Sequence, residues 1–237
     1  MRRSGHKLPL VLALVAFWSV VGPAKACRQA LVLGLDVSAS VSEMEYRIQI
    51  EGLATALTDP EVVDRMVAPL GQHVELLVFE WGSPEYHRVL AGWTPADSPA
   101  RLAGMAAKLR SWRRIRFGES TAIGRAMDYA ARRLQERREC SQLTVDLSGD
   151  GKNNIGTRPR AMRPIMEDRG ITVNGLVIAT RNIAELSAYY HAEVIVGPFA
   201  FVETAGGYEE YAAAIKRKLL RELAAPVAMG PDGARDG

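Results

Sequence analysis

A doubly wound α/β domain with a mostly parallel, six-stranded sheet flanked by helices is the fold this chain predicts, and three observations predict it. Short apolar runs alternate with amphipathic segments of helical period through most of the sequence. Ile171–Ala179 is almost continuously apolar, as a strand covered by helices on both faces must be. Roughly 210 residues remain once an export segment is set aside, which suits one α/β domain with a large core.

The elements follow in order. Residues 1–26 read as a signal peptide: Arg2, Arg3 and Lys7 form a basic start, Leu8–Val21 is apolar, and Ala24-Lys25-Ala26 is an A-x-A cleavage site. That apolar run is shorter than the about 20 residues a membrane span needs, so secretion to the periplasm, with no stable membrane span after cleavage, is expected. Ala30–Leu35 is the first strand, and Tyr46–Leu57 has helical apolar spacing, followed by a less regular stretch from Val62 to Met66. Val74–Glu80 and Tyr86–Ala91 form a strand pair across the turn residues Gly82-Ser83-Pro84. Pro99–Trp112 and Ile123–Arg138 are amphipathic helices, the second with a strongly basic exposed side. Leu143–Leu147, Ile171–Ala179 and a short Ala192–Val196 supply the remaining strands, and Tyr208–Leu223 closes the domain as a helix. The expected division is therefore a signal peptide at 1–26, one domain over 27–224, and a disordered tail at 225–237 that is rich in Gly, Pro, Ala and Asp.

The chemistry lies at strand ends. Asp36-Val37-Ser38-Ala39-Ser40 follows the first strand and presents three oxygen-bearing side chains at alternate positions. Mg²⁺ accepts few carboxylates, keeps several waters and takes oxygen ligands, which suits one carboxylate and two hydroxyls on a tight loop. Alone the pattern is weak, since Asp and Ser also make turns and helix caps. Downstream, Gly118-Glu119-Ser120-Thr121-Ala122-Ile123-Gly124-Arg125-Ala126 puts a threonine in a small-residue loop before a helix, and Leu143–Leu147 ends in Ser148-Gly149-Asp150-Gly151. In an open α/β sheet, sites form outside the carboxyl ends of strands where the strand order reverses, between strands 1 and 4. Both Asp-bearing strand ends fall there.

On these three segments the chain resembles the von Willebrand factor type A family, also seen in integrin inserted domains, over about Ala30 to Ala224. The resemblance is to a metal-ion-dependent adhesion site built from D-x-S-x-S, T-x-x-G-x-A and T/S-D-G segments. It implies a divalent cation, Mg²⁺ with Mn²⁺ or Ca²⁺ as substitutes, held by Asp36, Ser38, Ser40, Thr121 and Asp150. It further implies a protein ligand whose acidic residue fills an open coordination position, and hence adhesion or scaffolding. Glu119, where the family often has Gly, and Gly149, where it has Thr or Ser, depart from the pattern at positions that are not ligands. More narrowly, the chain is similar to a group of secreted bacterial proteins with this domain.

Two cysteines, Cys27 and Cys140, remain in the exported chain, nine residues before Asp36 and ten before Asp150. In the strand order 3-2-1-4-5-6 the first and fourth strands are parallel neighbours, so similar offsets bring both cysteines to the same end of the sheet, and an exported protein meets an oxidising compartment. A Cys27–Cys140 disulfide is expected; two unpaired thiols, or a lipidated Cys27, are the alternatives.

Composition excludes other classes. Segment 1–26 carries four basic residues and no acidic one, so its removal takes the formal charge from +3 to −1, and the basic balance is no sign of nucleic-acid binding. The cluster Arg110, Arg113, Arg114 and Arg116 reads as a solvated helix face. Asp146-x-Ser148-x-Asp150-Gly151 opens like a calcium hand, but its twelfth position is Thr157 and not the required Glu. Asp146 itself shares a covered strand face with Ser148, and its partner is not legible. No P-loop, dinucleotide glycine triad or G-x-S-x-G elbow occurs, and His73, His87 and His191 are scattered. The expectation is a non-enzymatic binding module; a metal-dependent hydrolase or phosphatase and a metal-free structural domain are the alternatives.

Overall fold

The computed structural model describes residues 26–67, 72–115 and 120–224. The chain runs β1 (Ala26–Asp36), α1 (Glu43–Thr58), α2 (Pro60–Val67), β2 (Gln72–Trp81), β3 (His87–Pro95), α3 (Pro99–Ser111), α4 (Ile123–Leu134), β4 (Gln142–Gly149), α5 (Pro159–Asp168), β5 (Ile171–Ile178), α6 (Ile183–Tyr189), β6 (Val202–Ala205) and α7 (Tyr211–Ala224). The six strands form one sheet in the order β3-β2-β1-β4-β5-β6. All neighbours are parallel except the β2–β3 hairpin. This is the doubly wound arrangement expected. Among the described residues no helix is long and apolar enough to cross a membrane.

Helices cover both faces, and strand alternation divides the core. Leu31, Leu33 and Leu35 of β1 face α1, α2, α3 and α7, while Ala30 and Val32 face α4 and α5. In β4 the parity is reversed: Val145 and Leu147 join the α4 side, so Thr144, Asp146 and Ser148 point toward α7. Asp146 finds its partner there. The Lys218 ammonium lies 2.9 Å from Asp146 Oδ1 and 2.7 Å from Glu222 Oε1, and all three side chains are fully buried. Burial pushes the Asp146 carboxyl up to about 7 although a cation stands beside it, because that cation is shared with a second carboxylate.

Cys27 and Cys140 form a disulfide at the amino ends of β1 and β4, with their Cα atoms 4.5 Å apart. The sheet register explains it: Gln29 pairs with Gln142, so each cysteine precedes its paired residue by two. The Ser141 N–H donates to the Cys27 carbonyl at 3.0 Å, which ties the two strand starts together.

One expected strand is corrected. Residues 190–194 form a π-helical turn, only Val196 makes an isolated bridge to Val173, and the sixth strand is Val202–Ala205. The apolar spacing of Val194 and Val196 fits a short strand, but Tyr190 and Val194 are instead core contacts of the turn. Helices α5 and α6 lie in two stretches with no sequence assignment, on either side of β5; α5 carries Pro164 in its interior and has a narrow apolar face of Met162 and Met166. Residues 1–25 of the expected signal peptide, the expected tail at 225–237, Arg116, Gly118 and Glu119 lie outside the described residues.

Candidate metal centre

Asp36 ends β1 with its side chain buried, and its geometry is set locally. Oδ1 accepts the Ser38 N–H at 2.8 Å, the turn an aspartate makes with the backbone two residues on. The Asp36 carbonyl accepts the Gln49 side-chain amide at 3.1 Å, and the Val37 N–H donates to the Trp81 carbonyl at 2.9 Å. Arg114 donates to the carbonyls of Val37 at 2.9 Å and Val41 at 2.6 Å. These bonds hold the loop from the backbone side, with the Asp36 and Ser38 side chains buried and Ser40 exposed. Thus one member of the basic cluster clamps the loop, while Arg110 pairs with Glu51.

The parts predicted from sequence converge. The Ser38 and Ser40 hydroxyls are 3.1 Å apart, and Ser40 Oγ donates to Asp150 Oδ1 at 2.6 Å. The Tyr208 hydroxyl donates to Asp150 Oδ2 at 3.2 Å. Thr121 is held by Asn154, whose Oδ1 accepts the Thr121 N–H at 2.9 Å and whose N–H donates to the Thr121 carbonyl at 3.0 Å. The Thr121 hydroxyl lies beside Gly151, 3.7 Å from where a Cβ there would stand. Asn153 and Asn154 are therefore clamps between the β4 loop and the start of α4; Asn153 Oδ1 also accepts the Gly124 N–H at 3.3 Å.

Two glycines have steric reasons. A Cβ on Gly124 would stand 2.1 Å from the Thr157 carbonyl oxygen, so the glycine of T-x-x-G lets α4 press against the β4 loop. Gly124→Ala is expected to cost about 1–3 kcal/mol by forcing these backbones apart, read as a lower urea midpoint; an unchanged midpoint would mean that the contact relaxes freely. A Cβ on Gly149 would lie 2.5 Å from the Tyr190 hydroxyl and 3.2 Å from Asp36 Oδ2. The residue usual at that position in the resembled pattern is displaced by a tyrosine from the π-helical turn. Tyr190 and Tyr208 are the site neighbours that sequence reasoning missed, because each arrives from a distant loop with no motif of its own.

Electrostatically the site holds two buried carboxylates close together. Asp36 is pushed up to about 7, first by desolvation and then by the nearby charge of Asp150. Asp150 is also raised, chiefly by burial. Asp36 Oδ2 is buried and accepts no hydrogen bond. Three neutral hydroxyls and two carboxylates, one of them with an orphaned oxygen, fit a hard divalent cation, which would offset both desolvation and mutual repulsion. No histidine belongs to the cluster: His87 stacks on Tyr129 with ring centroids 4.8 Å apart and is held down at about 4, mainly by burial.

Comparison with solved structures shows that this is a von Willebrand factor type A fold. Proximal thread matrix protein 1 of the mussel byssus, with zinc occupying its MIDAS motif, matches with a TM-score of 0.59 at 17% identity, over 85% of this chain and 47% of that one. A von Willebrand factor type A structure from Catenulispora acidiphila matches with a TM-score of 0.54 at 16% identity, over 84% and 43%. The manganese-loaded TRAP protein of Plasmodium vivax matches with a TM-score of 0.52 at 17% identity, over 81% and 73%. The chain thus spans less than half the length of the mussel and Catenulispora chains. No curated protein gives a significant match. A family model described as "Protein of unknown function (DUF1194)" matches residues 26–227.

Proposed function

Starting from a chain that belongs to the family described as a protein of unknown function, DUF1194, and that has a von Willebrand factor type A fold, we propose that it is an exported, metal-dependent protein-binding domain of the adhesion or scaffolding type. Asp36, Ser38, Ser40, Thr121 and Asp150 would hold the cation, Mg²⁺ with Mn²⁺ or Ca²⁺ as substitutes. The metal supplies a Lewis-acidic position that an acidic side chain of a partner protein can occupy. The chain's own residues orient that position: hydroxyls leave the cation electron-poor, while the Asp36 and Asp150 charges retain it. Zinc and manganese in two structural neighbours support a divalent ion in general.

The observation that carries this reading is the 2.6 Å bond from Ser40 to Asp150, which joins the first and third motif segments across 110 residues, next to the orphaned Asp36 Oδ2. The Cys27–Cys140 disulfide supports export, since such bonds persist in oxidising compartments. Under the same reading, cleavage after Ala26 leaves residues 27–224 as the domain and 225–237 as a tail; the N-terminal sequence of the exported protein tests this.

Calorimetric titration with Mg²⁺, Mn²⁺ and Ca²⁺, with wild type beside Asp150→Ala, tests the site. Wild type is expected to bind at least one ion and the variant to bind it at least about tenfold more weakly, the loss of about 1.4 kcal/mol or more. Silence from well-folded wild type, with and without excess acetate as a stand-in carboxylate, would remove the metal-dependent reading.

A further inference from the structure

The end of the sheet opposite the loops proposed to hold the metal contains a cavity of about 680 Å³. It opens between the amino-terminal halves of β1, β4 and β5, the last turn of α7 and residues 197–201. Leu143, Ile171, Pro198 and Phe199 are among its apolar lining. The polar side chains at its floor are buried and answer one another. Gln29 donates to the Thr144 hydroxyl at 3.0 Å, the Asn174 amide donates to Glu222 at 2.9 Å, and the Asn174 oxygen accepts the Phe201 N–H at 3.1 Å. Arg221 and Lys218 already stand over the Phe201 ring, at 3.9 and 5.0 Å. Glu167 and Arg221, the charged groups that line the cavity besides Glu222, are exposed. The interior therefore favours an uncharged, apolar occupant.

Two features of the rim point to what that occupant is. Phe199 is 68% exposed and is held at a φ of 59°, a backbone conformation that residues other than glycine seldom adopt. A large ring left in water beside an apolar cavity marks a surface that something covers. Ala224, the last residue of α7, also lines the cavity, so the chain that leaves the helix starts at its mouth. The next five residues, Ala225-Pro226-Val227-Ala228-Met229, are uncharged and apolar, whereas Gly230 and the charged Asp232, Arg235 and Asp236 follow. Pro226 has no N–H to donate and disfavours helical backbone at the residue before it, so it directs the chain off the α7 axis at this point. Five extended residues reach about 16–18 Å, enough to cross a cavity of this volume.

We propose that residues 225–229 fold back into this cavity, with the Val227 and Met229 side chains against Leu143, Ile171 and Phe199. Apolar surface is then removed from water on both the segment and the wall, which offsets the entropy of ordering five residues. Tethering at Ala224 gives the segment an effective concentration in the millimolar range, so it keeps free apolar molecules out. The domain then extends past α7 to Met229, and residues 230–237 remain outside it. The inference uses none of the metal-loop residues and stands apart from the reading proposed for them.

The test is NMR of the full exported chain, with 1-hexanol as a probe of the cavity. Nuclear Overhauser contacts are expected from the Val227 and Met229 methyl groups to the Phe199 ring and the Leu143 methyl groups. The amides of residues 227–229 should relax with the domain, while those of residues 233–237 should not. Val227→Asp with Met229→Asp places two charges in the segment and leaves the packed core as it is, so the variant folds. It should lose those contacts and bind 1-hexanol at least about tenfold more tightly than wild type, because the cavity is then open in most molecules. Free-tail relaxation throughout residues 225–237, or 1-hexanol binding that is no tighter in the variant, would overturn the proposal. So would contacts found only between differently labelled chains in a mixed sample, since a second copy would then be the occupant.

Discussion

Lys218→Met is expected to destabilise the domain by about 3–5 kcal/mol at neutral pH, the usual cost of breaking a buried ion pair from one side. Methionine fills most of the same volume, so the loss is electrostatic: Asp146 and Glu222 are left facing each other with no cation, both buried. The pH dependence separates this cause from a packing defect. Asp146 already titrates at about 7 in the folded chain against 3.8 as its ordinary value. A carboxyl raised by folding binds more protons folded than unfolded, so stability falls as pH rises from about 4 through the folded pKa. Removing the ammonium raises it further and widens that window. The urea midpoint of the variant should therefore lie far below wild type at pH 8 and recover toward it at pH 5. A deficit of equal size at both pH values would show that the ammonium is not what stabilises the network.

Loss of the Cys27–Cys140 bond is the second large effect. It closes a loop with a sequence separation of 113, and in the chain-entropy model a loop of that length is worth about 4–5 kcal/mol. Cys27→Ser with Cys140→Ser should lower the urea midpoint accordingly, with the slope of the transition rising because the unfolded chain becomes more expanded. The loops proposed to hold the metal lie at the other ends of β1 and β4, so any metal affinity should hold wherever the variant remains folded. A double variant as stable as wild type would mean that the reduced unfolded chain is already compact.

The fold was legible in sequence because its central strands carry their signals locally. A strand covered on both faces must be apolar along its length, and the β1 and β5 runs are. The disulfide was legible for a related reason: strand order and offset from a strand end determine which starts are neighbours. The edge was not. Val202-Glu203-Thr204-Ala205 is a four-residue strand with mixed polarity, and nothing local ranks it above the apolar Ala192–Val196. The latter lost because Tyr190 needs the space over Gly149 and Gly175, which a π-helical turn gives it.

The candidate site divides along the same line. Asp36, Ser38, Ser40, Thr121 and Asp150 were legible in sequence as candidates through the resemblance to a known motif, because oxygen-bearing side chains at strand ends and before a small-residue helix start are short-range patterns. So was the place of Asp146 on a covered strand face. Only the tertiary structure decided that Asp146 meets Lys218 and Glu222, that Tyr208 donates to Asp150, and that Asn153 and Asn154 clamp the Thr121 loop. The physical reason is range. Periodicity and turn chemistry act over a few residues, whereas burial, charge compensation and orphaned polar atoms arise where segments separated by tens of residues are packed together and water is removed.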